Sequence, residues 1–276
     1  MNGRNTYGTL LSAMLALAVG GCGGHYIVTI PDQVAPAGGE TTTVVRLQRN
    51  DFFVLAPAVK EAALRFRVAD GPERGAYTDK FGYAAAAVPV PDRPGRYPLT
   101  VSHLDIYGDE VVATGEVHVW DPNRPVIAVD MDCLPGRLFG SSAEGARALR
   151  RLVVGAHVVY LTRESTRHHG AAHKTLTQAG YPAGPILTWR RQRWHIVRDG
   201  RFKLPRIVVE SRLVSQLGGL RKLLPGLTVG VCDSALAAKA YAAAGLKVVL
   251  VGKASVEVST ELRRRSSWAD LAETGP

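Results

Sequence analysis

The chain has 276 residues, of which 46% are hydrophobic and 21% charged, and it carries a formal net charge of +10. That apolar fraction excludes global disorder, and the length suits two domains of ordinary size. The basic balance favours anionic partners (phosphate compounds, anionic lipid or nucleic acid) and says nothing of the fold.

The N-terminus reads as an export signal. Arg4 precedes the apolar stretch TLLSAMLALAV, and GGCGG follows it. A bilayer-spanning helix needs about 20 apolar residues, and this stretch is well short of that, as the core of a cleaved signal should be. The VGGC ending resembles a bacterial lipobox, which would make Cys22 the lipidated first residue of the mature chain; an ordinary secretory signal is the alternative. Residues 1–22 are thus expected to be the signal. The mature protein is expected to be an extracytoplasmic, membrane-anchored lipoprotein of the periplasm or cell surface, tethered to the membrane through its lipid.

Residues 23–120 read as β. ALRFRV alternates Leu64, Phe66 and Val68 with Arg65 and Arg67, RYPLTVS alternates Tyr97, Leu99 and Val101 with polar neighbours, and GEVHVW places Val117 and Val119 on one face. Period-two alternation marks antiparallel strands with one wet side. The turn signals APAGGE, ADGPERG, PDRPGR and YGDE separate them. Several short strands at this spacing predict an immunoglobulin-like β-sandwich. Asp105, Asp109 and Glu110 read as turn residues, and WDPNRP, 120–125, as a linker.

From 121 to 276 strands alternate with helices. VIAVD, AHVVYLT, GPILTW, LTVGVCD and KVVLVG are apolar strands. Between them fall SSAEGARALRRLV, opened by the capping pair Ser141 and Glu144, then RHHGAAHKTLTQAG, ending on Gly180, then VSQLGGLRKLLPG and SALAAKAYAAAG, all helical. Near-continuous apolar strands separated by helices predict a parallel sheet covered on both faces, with ligands at the carboxyl ends of its strands. Asp130, Asp132, Thr162 and Asp233 all fall at such ends. Two carboxylates so close cannot both ionise comfortably, so one keeps a proton or a cation compensates. Such a pair offers a nucleophile or ligand beside a general acid, with a hydroxyl and a third carboxylate on neighbouring strands.

These segments, in this order, resemble the haloacid-dehalogenase (HAD) superfamily. VIAVDMDCL resembles its first motif, VVYLT its second and VCDSALAAKAYAAAG its fourth. YLTRES and GYPAGPILTW are similar to segments of the lipin-type and related phosphatidate phosphatase branch. The resemblance implies a HAD-like Rossmannoid domain and an Mg²⁺-dependent phosphatase. Asp130 would attack phosphorus and Asp132 would act as acid and base. Thr162 would hold the phosphoryl group, and Asp233 would bind Mg²⁺ with Asp130 and the backbone carbonyl of Asp132. Two features depart from the pattern. Ala237 stands where the fourth motif has a second acid, and no third-motif Lys is evident, Arg212 being the nearest substitute and Lys203 a second.

The segment 188–206 interleaves Arg190, Arg191, Arg193, Arg198, Arg201, Lys203 and Arg206 with Trp189, Trp194 and Phe202. It reads as a hairpin turning at Asp199-Gly200. Arg190, Arg191 and Arg193, with Arg163, are candidate contacts for an anionic substrate or lipid headgroup; a solvated edge hairpin is the plain alternative. Nucleic acid is set aside, since an exported chain rarely meets it. His169 and His173 have the i, i+4 spacing of a zinc pair but no evident third ligand, and read with His168 as a surface cluster. The resemblance would bring Cys133 and Cys232 close together; a disulfide and two small buried thiols are both open.

Two functions follow as expectations. One is an Mg²⁺-dependent phosphomonoester hydrolase acting through an aspartyl-phosphate on a phosphorylated small molecule or a phospholipid such as phosphatidate. The other is a non-catalytic surface lipoprotein whose degenerate domain binds a phospho-ligand or headgroup. The oligomeric state is left open by the sequence.

Overall fold

The structure is a computed structural model that describes residues 25–50, 56–135, 143–163, 169–199, 202–211 and 213–274. The export signal, Cys22, Ser141, His168 and Arg212 lie outside the described residues.

The alternation of the N-terminal part is enforced by burial. In β4 (Ala63–Val68) Leu64, Phe66 and Val68 are buried while Ala63, Arg65 and Arg67 are exposed. β4 lies in a five-stranded sheet with β2 (Gln33–Pro36), β5 (Arg74–Tyr77), β7 (Gly95–Leu104) and β8 (Glu110–Trp120), in the order β2-β8-β7-β4-β5. β1 (His25–Thr29), β3 (Glu40–Asn50) and β6 (Tyr83–Pro89) form a second sheet in the order β1-β3-β6. Val45, Leu47, Leu64, Phe66, Leu99 and Val101 come from both sheets and share one core. Each such side chain contributes roughly 1.5–3 kcal/mol by leaving water. At the β7–β8 tip Asp105 accepts from the backbone N–H of Tyr107 and of Asp109, at 2.8 and 2.9 Å, as a turn residue should.

The C-terminal part is organised by a six-stranded parallel sheet. Its strands are β9 (Val126–Asp130), β10 (His157–Thr162), β11 (Ile186–Thr188), β14 (Leu227–Cys232), β15 (Lys247–Val251) and β16 (Leu262–Arg265). Their order is β11-β10-β9-β14-β15-β16. All five residues of β9 are buried because both faces are covered. Ile127 and Val129 meet Leu149 of α1 (Ala143–Leu152), Leu176 of α2 (His169–Gln178) and Leu271. Val126 and Ala128 meet Leu217 of α3 (Leu213–Leu223) and Tyr241 of α4 (Ala235–Ala243). This two-sided burial is why the strand reads as an unbroken apolar run.

Two antiparallel strands, β12 (Arg190–Asp199) and β13 (Phe202–Ser211), form a separate ribbon between β11 and α3. Asp199 pairs with Phe202 at the end of the ribbon; Gly200, of the expected Asp199-Gly200 turn, lies outside the described residues.

The expected pairing of an immunoglobulin-like sandwich with a HAD-like Rossmannoid domain is therefore corrected. Among the described residues the chain is β-rich, with several sheets, one strongly curled as a half-barrel, beside the parallel sheet. β2 runs parallel to β8, where alternation had implied antiparallel strands. The long ribbon interrupts the strand–helix alternation. Apolar alternation reports which face of a strand is buried; it does not report the partner strand or its direction, and those decide the architecture.

The two parts also share packing. Val34 and Trp120 belong to the same buried cluster as Val126, Ala128 and Val159. The Trp120 indole stacks on the His157 ring, with centroids 4.4 Å apart and planes 3° from parallel. His173 is half-buried, and its Nε2 lies 2.7 Å from Oδ2 of Asp32, a carboxylate only 5% exposed. The acid that pairs with His173 lies far back in the sequence, so the helix segment alone gives no sign of it.

Candidate active site

β9 delivers Asp130 at its carboxyl end, and the chain then makes a short 3₁₀ turn, Met131–Cys133. Asp130 caps that turn: its Oδ1 accepts from the Asp132 backbone N–H at 3.0 Å. The turn therefore sets Asp130 and Asp132 in a fixed relation, which answers why two like charges follow an apolar strand. Strand register brings in the other groups. Leu161 pairs with Asp130, so Thr162 stands one step beyond it on β10. Val231 pairs with Val129 on the other side, so Asp233 follows the end of β14 at the same edge.

Asp132 is held from two sides. The Thr162 hydroxyl donates to its Oδ1 at 3.1 Å, and the Arg163 guanidinium Nε lies 2.8 Å from its Oδ2. Arg163, expected as a substrate contact, sits on a carboxylate in the free protein. Its guanidinium stays largely open to solvent and within reach of an incoming anion.

Burial raises the Asp130 carboxyl to about 6, against the bond from Asp132 N–H; the charges of Asp132 and Asp233 push the same way as burial, and Arg163 opposes them. Asp233 also shifts upward, first through partial desolvation and then through the Asp132 charge. The three acids thus feel one another, and together they outweigh the single guanidinium. Ser234 caps α4 by accepting from Ala237 N–H at 3.3 Å, so a helix N-terminus opens immediately after Asp233. Its partial positive charge favours an anion at this edge.

Two cysteines and a tyrosine floor the site. Cys133 and Cys232 are buried and free, and the Cys133 thiol donates to the Asp130 carbonyl at 2.8 Å. Burial pushes the Cys232 thiol up to about 12, with Asp130 and Asp233 adding to it, so it stays protonated. Tyr241 was not expected. It is fully buried, its hydroxyl has no hydrogen-bond partner among the described residues, and it feels the charge of Asp130. The one sequence signal was a single large ring in an otherwise alanine-rich helix.

Among the described residues no group of three or more His, Cys, Asp or Glu side chains is gathered to hold a metal ion. Asp132 turns its carboxylate to Thr162 and Arg163 instead. The donors left for a cation are the Asp130 and Asp233 carboxylates and the Asp132 carbonyl. This all-oxygen set would suit a hard ion such as Mg²⁺. Ala237, at the place of a further acid in the resemblance, is buried among apolar residues. Arg190, Arg191 and Arg193 lie on β12, which begins two residues after Thr188, the partner of Thr162; their side chains lie outside the described part.

No protein-family model matches the chain, and no curated protein matches it. Solved structures it matches include a carbohydrate acetylesterase from Xanthomonas citri, at 12% identity and TM-score 0.27, covering 74% of this chain and 39% of that one. A family 39 glycoside hydrolase from Bacteroides cellulosilyticus matches at 11% identity and TM-score 0.26, covering 81% and 50%. A xyloglucanase from Bacteroides ovatus matches at 8% identity and TM-score 0.22, covering 86% and 71%. The chain spans half or less of the first two. All three are described as carbohydrate-active enzymes, and the pairing of sandwich and HAD-like domain gains no support among them. Likeness this slight transfers neither fold nor substrate.

Proposed function

We propose that the chain is a phosphomonoester hydrolase that works through an aspartyl-phosphate on Asp130. The observation that carries this reading is the fixed pair at the end of β9: Asp130 beside an Asp132 that Thr162 and Arg163 hold in place. An Asp130 oxygen attacks phosphorus; the new P–O bond forms as the bond to the leaving oxygen breaks. Asp132, which takes up a proton from solvent as Thr162 and Arg163 turn from it to the substrate, gives that proton to the leaving oxygen. Asp132 then takes a proton from a water whose oxygen attacks the phosphorus of the aspartyl-phosphate, releasing inorganic phosphate and restoring Asp130. Thr162 and Arg163 donate to the phosphoryl oxygens as they exchange from Asp132 to substrate. Asp130, Asp233 and the Asp132 carbonyl would hold an Mg²⁺ ion, which would supply the positive charge that lets one anion approach another.

The substrate class is a phosphorylated small molecule or a phospholipid such as phosphatidate, with Arg190, Arg191 and Arg193 as further anion contacts. Arg212 is assigned the charge-balancing role of the missing Lys. Cys22 is assigned as the lipid attachment point, which sets the enzyme on the outer side of a membrane, where substrates arrive in or near the lipid surface.

The test is phosphate release from p-nitrophenyl phosphate with Mg²⁺, comparing wild type with Asp130→Asn. Metal-dependent release in the wild type, abolished in a folded variant, is the expected result. Equal rates in both, or no release from a panel of phosphomonoesters, overturn it. A second reading rests on the buried Ala237: a binding protein that takes a phospho-ligand or anionic headgroup without turnover. Phosphate or anionic-vesicle binding with no hydrolysis selects that reading.

A further inference from the structure

Asp32 precedes β2 in the N-terminal part, yet its carboxylate is spent on the C-terminal part. Its Oδ2 accepts from the Ile186 backbone N–H at 2.8 Å, and His173 Nε2 lies 2.7 Å from the same atom. Ile186 opens β11, and His173 lies on α2. A carboxylate this buried is costly unless paired, so these bonds fix where both elements can sit.

β11 bears directly on Thr162. β11 pairs with β10 through Thr188 and Thr162, and the Trp189 N–H donates to the Thr162 carbonyl at 3.0 Å. α2 is the next helix after Thr162 and Arg163. A shift of β11 moves the strand end that carries the hydroxyl holding Asp132.

The surroundings of the junction carry several more charges. Glu116 and His118 face it from β8, Arg96 from β7 and His157 from β10. The hydrogen bond to Asp32 is the largest influence on His173 and raises its proton affinity; burial opposes this, the charges of Asp32 and Glu116 add to it and Arg96 subtracts. Burial lowers His118 to about 4, so at neutral pH it is uncharged. Its Nε2 lies 3.6 Å from Glu116, too far for a hydrogen bond, and has no such partner among the described residues. Of the imidazoles in the cluster, His173 is thus the one whose charged form its surroundings favour, and the group that favours it most is Asp32.

We propose that Asp32 is a positioning residue for the strand-exit site, clasping α2 through protonated His173 and β11 through Ile186, so that the N-terminal sheets and the site region form one mechanical unit. The clasp is proton-operated: the ion pair is present while His173 holds its proton and loosens as pH rises and that proton is lost. This goes beyond the hydrolase reading and stands whether or not the site turns over phosphomonoesters.

The experiment uses the whole chain. Hydrogen–deuterium exchange at pH 7 is compared for wild type, Asp32→Asn and His173→Gln, and the His173 imidazole is titrated by NMR in the wild type. Both variants are expected to speed exchange in peptides covering 169–189 by roughly tenfold or more, as loss of a charge-assisted hydrogen bond would, while peptides from β3 and β6 keep wild-type rates. His173 is expected to titrate above the ordinary histidine value of about 6.5. Should Asp32→Asn fail to fold, His173→Gln, which keeps the Ile186 bond, and the wild-type titration decide. Unchanged exchange at 169–189 in His173→Gln, or His173 titrating at or below the ordinary value, overturns the proposal. Where hydrolysis is measured, His173→Gln moves the alkaline limb of the pH profile, which a role in stability alone would leave in place.

Discussion

The Thr162 hydroxyl donates to Asp132 at 3.1 Å across two neighbouring parallel strands. One contact thereby joins a strand-end hydroxyl to the carboxylate assigned as acid and base. Thr162→Val removes the donor at nearly constant shape, leaving Asp132 with Arg163 among its contacts and an incoming phosphoryl group with one donor fewer. We expect phosphate release to fall about 100-fold in kcat/KM for Thr162→Val, the scale for loss of one transition-state donor, and to stay within about fivefold for Thr162→Ser. Equal effects of the two substitutions would show that the hydroxyl does not act as a donor.

Asp130 illustrates a site that costs stability. Its folded carboxyl titrates near 6 against an ordinary 3.8, so the folded state binds this proton more tightly than the unfolded state does. Stability from this group is therefore greatest at low pH and is lost as pH rises between the two values. Asp130→Asn keeps an oxygen for the Asp132 N–H and carries no charge. In chelator at pH 7.5, the variant should be more stable by on the order of 1–3 kcal/mol in urea denaturation, the gain shrinking toward zero below pH 4. A less stable variant at pH 7.5 would contradict the assigned burial and charge crowding.

Much of the site was readable because strand ends leave a local imprint. VIAVD and HVVYLT are buried on both faces, so their apolar runs stop where the sheet stops, and Asp130 and Thr162 stand at those stops. The architecture was less readable, since β2 pairing parallel to β8 leaves no mark on either segment. The junction was invisible for a different reason. Asp32 looks like a turn residue after Pro31, and only the fold brings it within 2.7 Å of His173. Tyr241 had a faint signal, and the reason it fits is Gly230 opposite.

That glycine gives a prediction of its own. A Cβ at Gly230 would stand 2.3 Å from the Tyr241 ring, and three ring atoms lie within 3.0 Å of it. The ring is fully buried and cannot swing into solvent. Gly230→Ala should destabilise by about 1–3 kcal/mol through overpacking, measured as a lower urea midpoint at unchanged slope. Gly230→Ala combined with Tyr241→Leu should recover part of the loss, because the clash is with the ring. No recovery would place the cost in the β14 backbone instead.

The two histidines at the junction should bend the stability curve in opposite directions. His173 has a raised folded value, so its contribution is fully present below the ordinary histidine value and is lost as pH climbs through the folded one. His118 falls from 6.5 to about 4, so burying it neutral is free above 6.5 and becomes costly as pH drops toward 4. Differences from wild type isolate each effect from the other titrating groups. The deficit of His173→Gln should be largest below pH 6.5 and shrink in alkali. His118→Gln should gain on the wild type as pH falls from 6.5 to 4, by on the order of 2–3 kcal/mol over that range. Thermal and urea unfolding across pH 4–9 reads both differences, and curves that run parallel to wild type for either variant would sink the corresponding assignment. The opposite slopes follow from one geometric fact: His173 has the Asp32 carboxylate within hydrogen-bond reach, while His118 is buried beside it without a bond of its own at Nε2.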